Sequence, residues 1–266
     1  MILASDLDRT IMYSNRAIEE FGFPENKVLK PVERNKGNWT GYMTEAAFSM
    51  LKEVSKHSLF IPVTTRTTEQ FKRFVIFEEE IPLSYAITSN GAHILYNGEP
   101  LKEWAEHLEL QLNNGCAPEE ELDFALKSAG ITLDGERKQA ENLFFYYILN
   151  CLPTPSELAE IRELTVKYGW KMSLQGRKLY FIPSAISKGK ALEFICNREG
   201  MEAMAGAGDS VLDWDFLKNC RYRFVPSHGE LLKVKGPADI TLTNQLGVAA
   251  GEEILQHFLK ALSLKI

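Results

Sequence analysis

Apolar positions in the first 92 residues fall into short continuous runs separated by helical repeats. The run Ile2–Ser5 has no internal alternation, which suits a strand buried on both faces of a parallel sheet. Residues 59–63 and 85–88 have the same character. Between them, Ala47, Met50, Leu51 and Val54 recur at helical spacing and predict a helix over residues 44–56, and residues 67–74 predict another. The Lys-, Asn- and Gly-rich stretch 25–41 carries no predicted element. The third run ends in the turn residues Ser89, Asn90 and Gly91. Strand, helix, strand, helix, strand is the order of a parallel α/β sheet.

The texture changes near residue 99. Charged amphipathic helices are predicted over 101–113 and 118–128, then a strand over 143–149. Thr154, Pro155 and Glu157 mark a helix start, with Thr as N-cap, Pro at the first position and Glu at the third, and that helix runs to residue 168. Residues 171–174 and 178–182 alternate polar and apolar as a hairpin does. After Pro183 the α/β rhythm returns, with a helix over 188–198, a strand over 202–205, a loop and helix over 208–218 and a strand over 222–225. The fold class is therefore α/β, with a Rossmann-like parallel core from residues 1–92 and 183–266 and an inserted α+β domain over 93–182.

Composition narrows the partners. The chain has 266 residues, 45% of them hydrophobic, which is ample for a packed core. Its net charge of -6 argues against nucleic acid, whose binding needs clustered Lys and Arg. No apolar run approaches the roughly 18 residues of a membrane span. The first residues carry no basic segment of the kind a signal peptide needs, and Cys116, Cys151, Cys196 and Cys220 form no CxxC pair. A cytoplasmic protein with a small-molecule partner is expected, with no membrane and no nucleic acid.

Eight of the 36 acidic residues are Asp, yet Asp6, Asp8, Asp209, Asp213 and Asp215 form two short clusters, each just past an apolar strand. A short carboxylate close to the backbone suits a hard cation such as Mg²⁺, and open α/β sheets bind ligands at the carboxyl ends of their strands. In Asp6-Leu7-Asp8-Arg9-Thr10, one Asp can attack phosphorus and the other can protonate the leaving oxygen and later activate water. Thr64-Thr65-Arg66 follows the second strand with a hydroxyl suited to a phosphate oxygen. Lys188 opens a helix, where the macrodipole favours an anion, so a cation there makes sense beside one. Phosphate-monoester hydrolysis is accelerated up to about 10²¹-fold by enzymes, whereas acid–base catalysis gives about 10² to 10⁴, so several such groups must act together.

The order Asp6-x-Asp8-x-Thr10, Thr64, Lys188 and Gly208-Asp209-x-x-x-Asp213 resembles the haloacid dehalogenase (HAD) phosphatase superfamily. Thr88-Ser89-Asn90-Gly91-Ala92 resembles a turn of its sugar-phosphatase branches, and residues 224–231 are similar to a segment of sucrose-phosphate-phosphatase-like proteins. The resemblance implies Asp6 as nucleophile and metal ligand, Asp8 as acid–base and carbonyl ligand, Thr64 and Lys188 as phosphate donors, and Asp209 with Asp213 around Mg²⁺. Arg9, Thr10, Thr65, Arg66 and Asn90 are the expected substrate-binding positions, with His228 and the hairpin residues Gln175 and Arg177 as further substrate contacts. Arg9, Thr65 and Leu212 depart from residues often found there in the family.

The insert corresponds to the mobile cap of that branch, with hinges expected near residues 96–99 and 182–187. A small phosphorylated sugar or polyol is the expected substrate, with a nucleotide or phosphorylated cofactor as alternatives. Two other classes use the same residue types. A receiver domain carries its phosphorylated Asp after the third strand, whereas here the Asp pair follows the first. A catalytically idle metal-binding module has no need of Asp8.

Overall fold

The computed structural model describes residues 1–140, 143–233 and 239–263; the Gln175 side chain, and the expectation attached to it, lie outside what it describes. The chain separates into two compact units, one made of Met1–Leu101 and Lys188–Ile266, the other of Lys102–Ser187.

In the first unit a five-stranded parallel sheet has the spatial order Thr241–Leu242, Tyr222–Val225, Ala203–Ala207, Ile2–Ser5, Leu59–Pro62. The strand that precedes the Asp pair is therefore flanked on both sides, and all four of its residues are buried. That burial is the physical reason for its uninterrupted apolar run. Leu3, Phe60, Ala205, Ala207 and Phe224 share one core cluster with Ala47, Leu51 and Val54 of helix Glu45–His57 and with Ile254, Leu255 and Phe258 of helix Gly247–Ser263. Thr44 caps the first of these helices, its hydroxyl accepting the Ala47 N–H at 3.0 Å.

The strand Tyr85–Thr88 joins the end of Leu59–Pro62 through a bridge between Val63 and Ile87. Its own ladder runs antiparallel to His93–Tyr96, which pairs in turn with Glu99–Pro100. Those two strands place residues 93–100 in the first unit, so the units divide after Leu101 and not after residue 92.

Residues 25–41, given no element from sequence, contain most of a β-hairpin formed by Leu29–Asn35 and Asn38–Thr44. Lys36 and Gly37 make its two-residue turn, both at positive φ (48° and 86°), the geometry that matches strand twist. Its polar composition hid it, and Pro31 and the register shift at Glu33 interrupt the alternation by which a strand is read.

The second unit is a four-stranded antiparallel sheet in the order Trp170–Gln175, Lys178–Pro183, Phe144–Leu149, Gly135–Ala140, with helices Lys102–Gly115, Glu119–Ser128 and Pro155–Lys167. The capping box read at Thr154 and Glu157 is present. The polar edge strand Gly135–Ala140 carries no apolar signal and was not predicted from sequence. Leu122, Leu126, Phe145, Leu149, Ile161, Trp170, Leu179 and Phe181 form the core. Among the described residues no helix is long and apolar enough to cross a membrane. Phe145 is fully buried and stacks on Phe181 at a centroid distance of 4.9 Å. Phe145→Ala should therefore lower the unfolding free energy by about 3–5 kcal/mol, read by urea denaturation.

Candidate active site

The sheet register brings three loops of the first unit to one level. Ser5 pairs with Ala207 on one side and Pro62 on the other. The residues that follow, Asp6, Gly208-Asp209 and Thr64, therefore emerge side by side at the carboxyl edge. The Asp6 N–H still donates to the Ala207 carbonyl at 2.9 Å, so the ladder continues up to the residue that carries the carboxylate.

Lys188, the first residue of helix Lys188–Glu199, is 1% exposed. Its ammonium donates to Asp6 Oδ1 at 3.0 Å and to Asp213 Oδ1 at 2.6 Å. The Thr10 hydroxyl donates to Asp6 Oδ2 at 3.3 Å. Asp213 is fully buried, and its Oδ2 accepts both the N–H and the hydroxyl of Ser210 at 2.8 Å. Gly208 makes this packing possible, because a Cβ at that position would run into the Asp213 side chain. Carboxylate oxygens of Asp6, Asp209 and Asp213 lie within 4.8 Å of one another.

Three buried acids lie close together, two of them on the Lys188 ammonium and the third 3.8 Å from the Arg9 guanidinium. Burial first, then Asp213, raises the Asp6 carboxyl to about 7, with Lys188 pulling it back. Asp209 is pushed well above the usual carboxylate range by burial and by Asp6 and Asp213. For Lys188, burial opposes the charge, but Asp213 and Asp6 outweigh it and hold the ammonium above its ordinary value. The donor set is hard oxygen throughout, which fits a divalent cation such as Mg²⁺.

The remaining sequence-predicted residues divide. Thr64 is buried and its hydroxyl accepts the Arg66 N–H at 3.1 Å, while Thr65 is partly exposed in the same turn. Asn90 sits at φ 59° with its N–H on the Thr64 carbonyl at 3.1 Å; its buried Oδ1 has no hydrogen-bond partner among the described residues. Asp8 has a half-exposed carboxylate held by Arg66 at two distances of 2.6 Å. The other edge of that guanidinium lies on Glu33, a residue for which the sequence gave no signal. Arg66 is thus spent on two carboxylates. Arg9 forms two 3.1 Å bonds to Glu20, and its Nε stands 3.8 Å from Asp209.

His228 is occupied by the backbone. Its Nε2 donates to the Arg9 carbonyl at 2.7 Å, Nδ1 accepts the Gly247 N–H at 3.3 Å, and the ring packs on Phe21 at 4.2 Å. Burial lowers its pKa, so the neutral ring with the proton on Nε2 is the form these contacts require. It braces Arg9, whose φ is 62°. Arg177, in the second unit, donates through Nε to the Leu149 carbonyl at 2.7 Å and so ties down a strand end.

The raised Asp6 value has a signed consequence. A carboxyl whose folded pKa exceeds its unfolded one contributes stability that is present at low pH and lost as pH rises, here between about 4 and about 7. Metal-free protein in EDTA should therefore lose thermal stability as pH rises from about 4 to about 7, and Asp6→Asn should show a smaller loss over that interval. Equal losses in the two proteins, measured by thermal unfolding, would refute the assignment.

No family model matches the chain. A phosphoglycolate phosphatase of Staphylothermus marinus is 30% identical over 84 residues, a match covering 31% of this chain and 35% of that protein. The chain thus matches only about a third of that relative's length. Among solved structures, a sucrose-phosphatase from Synechocystis, in complex with sucrose and phosphate, superposes with a TM-score of 0.70 at 16% identity, covering 97% of both chains. A haloacid dehalogenase-like hydrolase from Bacillus subtilis gives 0.58 at 15% identity, covering 97% of this chain and 91% of that one. A HAD-superfamily phosphatase from Bacteroides thetaiotaomicron gives 0.56 at 13%, covering 97% and 94%. The five-stranded parallel sheet and its inserted unit are thus a fold shared with solved haloacid dehalogenase-like hydrolases and phosphatases.

Proposed function

We propose that the protein is a Mg²⁺-dependent phosphomonoester hydrolase that works through a phosphorylated Asp6. The carrying observation is the placement of Asp6, a buried carboxylate with one oxygen on the Lys188 ammonium and the other on the Thr10 hydroxyl. These contacts orient the side chain and supply positive charge where phosphate oxygens gather. The match to a phosphoglycolate phosphatase and the likeness to sucrose-phosphatase support the same reading.

In the first half-reaction an Asp6 oxygen forms a bond to phosphorus while the bond from phosphorus to the leaving oxygen breaks, and Asp8 gives that oxygen its proton. In the second, Asp8 takes a proton from water as the water oxygen attacks phosphorus. The bond to Asp6 breaks and inorganic phosphate leaves. Thr64 and Lys188 hold the phosphoryl oxygens. Asp6, Asp209 and the Asp8 carbonyl are the groups that would hold Mg²⁺, which when bound supplies positive charge against the phosphoryl oxygens. Asp213 holds Lys188 and the Ser210 turn in place, and its carboxylate lies within reach of the same cation as Asp6 and Asp209.

For the substrate we favour a small phosphorylated sugar or polyol. The solved structure of the sucrose-phosphatase contains sucrose and phosphate, and a net charge of -6 gives no attraction for a polyanion. A panel of phosphate esters tests this. Phosphopeptides or nucleotides exceeding every sugar phosphate by more than about tenfold in kcat/KM, equivalent to about 1.4 kcal/mol, would overturn it. Release of inorganic phosphate should stop in EDTA and return with Mg²⁺. Asp6→Asn should abolish turnover, and Asp8→Asn should cost about 10² to 10⁴-fold on alkyl phosphates.

A further inference from the structure

The hairpin formed by Leu29–Asn35 and Asn38–Thr44 breaks strand alternation at one place. Val32 and Glu33 are neighbours, yet they are 0% and 5% exposed, whereas successive strand side chains point to opposite faces. The pairing with the second arm shifts on both sides of Glu33. Such an irregularity re-aims a side chain, here turning a carboxylate inward. Opposite it lies Gly41, where a Cβ would stand 2.7 Å from Glu33 Cβ and 2.8 Å from Oε2. Glycine there leaves the room that the carboxylate occupies.

Glu33 meets Arg66 edge-on, with Nη1 donating to Oε1 at 2.5 Å and Nη2 to Oε2 at 3.1 Å. The adjoining edge, Nε and Nη2, holds both oxygens of Asp8 at 2.6 Å. The guanidinium carbon also sits 4.3 Å from the Phe74 ring centroid. Because a guanidinium is planar and rigid, fixing one edge and one face fixes the plane in which the other edge presents Asp8. A carboxylate that is 40% exposed and held only at its tip needs such a clamp to keep one orientation.

We propose that Glu33 is a positioning residue of the reaction: through Arg66 it sets the orientation of the Asp8 carboxyl group toward the leaving oxygen. The inference rests on the phosphatase reading above. Glu33 touches neither substrate nor a reacting atom, and its effect is confined to the step in which Asp8 hands its proton over as the bond from phosphorus to the leaving oxygen breaks. An alkoxide leaving group depends on that proton. A nitrophenolate is stable as an anion and depends on it far less.

The test compares kcat/KM, which covers the steps through departure of the leaving group, for the best alkyl phosphate of the panel and for p-nitrophenyl phosphate. The proteins are the native enzyme, Glu33→Ala and Glu33→Gln, with Asp8→Asn setting the full scale. Glu33→Ala should lower the alkyl value by about tenfold or more, part of the 10² to 10⁴ range of acid–base catalysis, and the aryl value by much less. Glu33→Gln, whose amide oxygen still accepts a guanidinium N–H, should fall between it and the native enzyme. Equal losses on both substrates, as misfolding produces, or no loss on either, would overturn the role of Glu33. A native protein that cleaves neither ester overturns the phosphatase reading itself, and this proposal with it.

Discussion

The site depends on one buried ammonium among three buried carboxylates. Removing Lys188 from water costs several kcal/mol, which only close contact with Asp6 and Asp213 offsets. Those contacts exist because the helix that begins at Lys188 aims its first residue at the carboxyl edge of the sheet. One buried ammonium faces Asp6 and Asp213, and the Arg9 guanidinium, which Glu20 also engages, stands 3.8 Å from Asp209. Burial first, and then the neighbouring carboxylates, raise the Asp6 and Asp209 pKa values, and a set of three close carboxylates makes a divalent cation a favourable addition.

Around this centre, each supporting contact fixes one degree of freedom. Thr10 holds the second oxygen of Asp6, Ser210 holds the second oxygen of Asp213, and His228 braces the backbone just after Asp8. Gly208 lets the Asp213 side chain come close to the strand end. The outcome is a set of polar groups held by hydrogen bonds at the carboxyl edge of a sheet, the condition under which electrostatic preorganisation is effective. Asp8 differs from Asp6 in being half-exposed and held from outside by Arg66. That difference suits the proton exchange proposed for Asp8.

The two ion-paired arginines near the site show how geometry assigns roles to similar side chains. Arg66 and Arg9 both follow a strand end, yet Arg66 joins Asp8 to the hairpin through Glu33, whereas Arg9 pairs with Glu20 and lies beside Asp209. Neither is a free phosphate clamp. Both guanidiniums lie near aromatic rings, Arg66 over Phe74 and Arg9 over Phe21, which holds their planes.

What the sequence determined by itself was local. Continuous apolar runs marked the parallel strands, helical spacing marked Glu45–His57, and the Asp, Thr and Lys positions after strand ends marked residues that converge at the edge of the first unit. These were legible because the chemistry sits within a few residues of a strong hydrophobic signal. The hairpin over residues 29–44 was not, because its arms are polar and Pro31 and the shift at Glu33 break the period of two that identifies a strand. The role of Arg66 was equally hidden. Only the tertiary structure brings position 33 to position 66 and both to position 8, and a bidentate pair between residues more than thirty positions apart leaves no periodic trace in the chain.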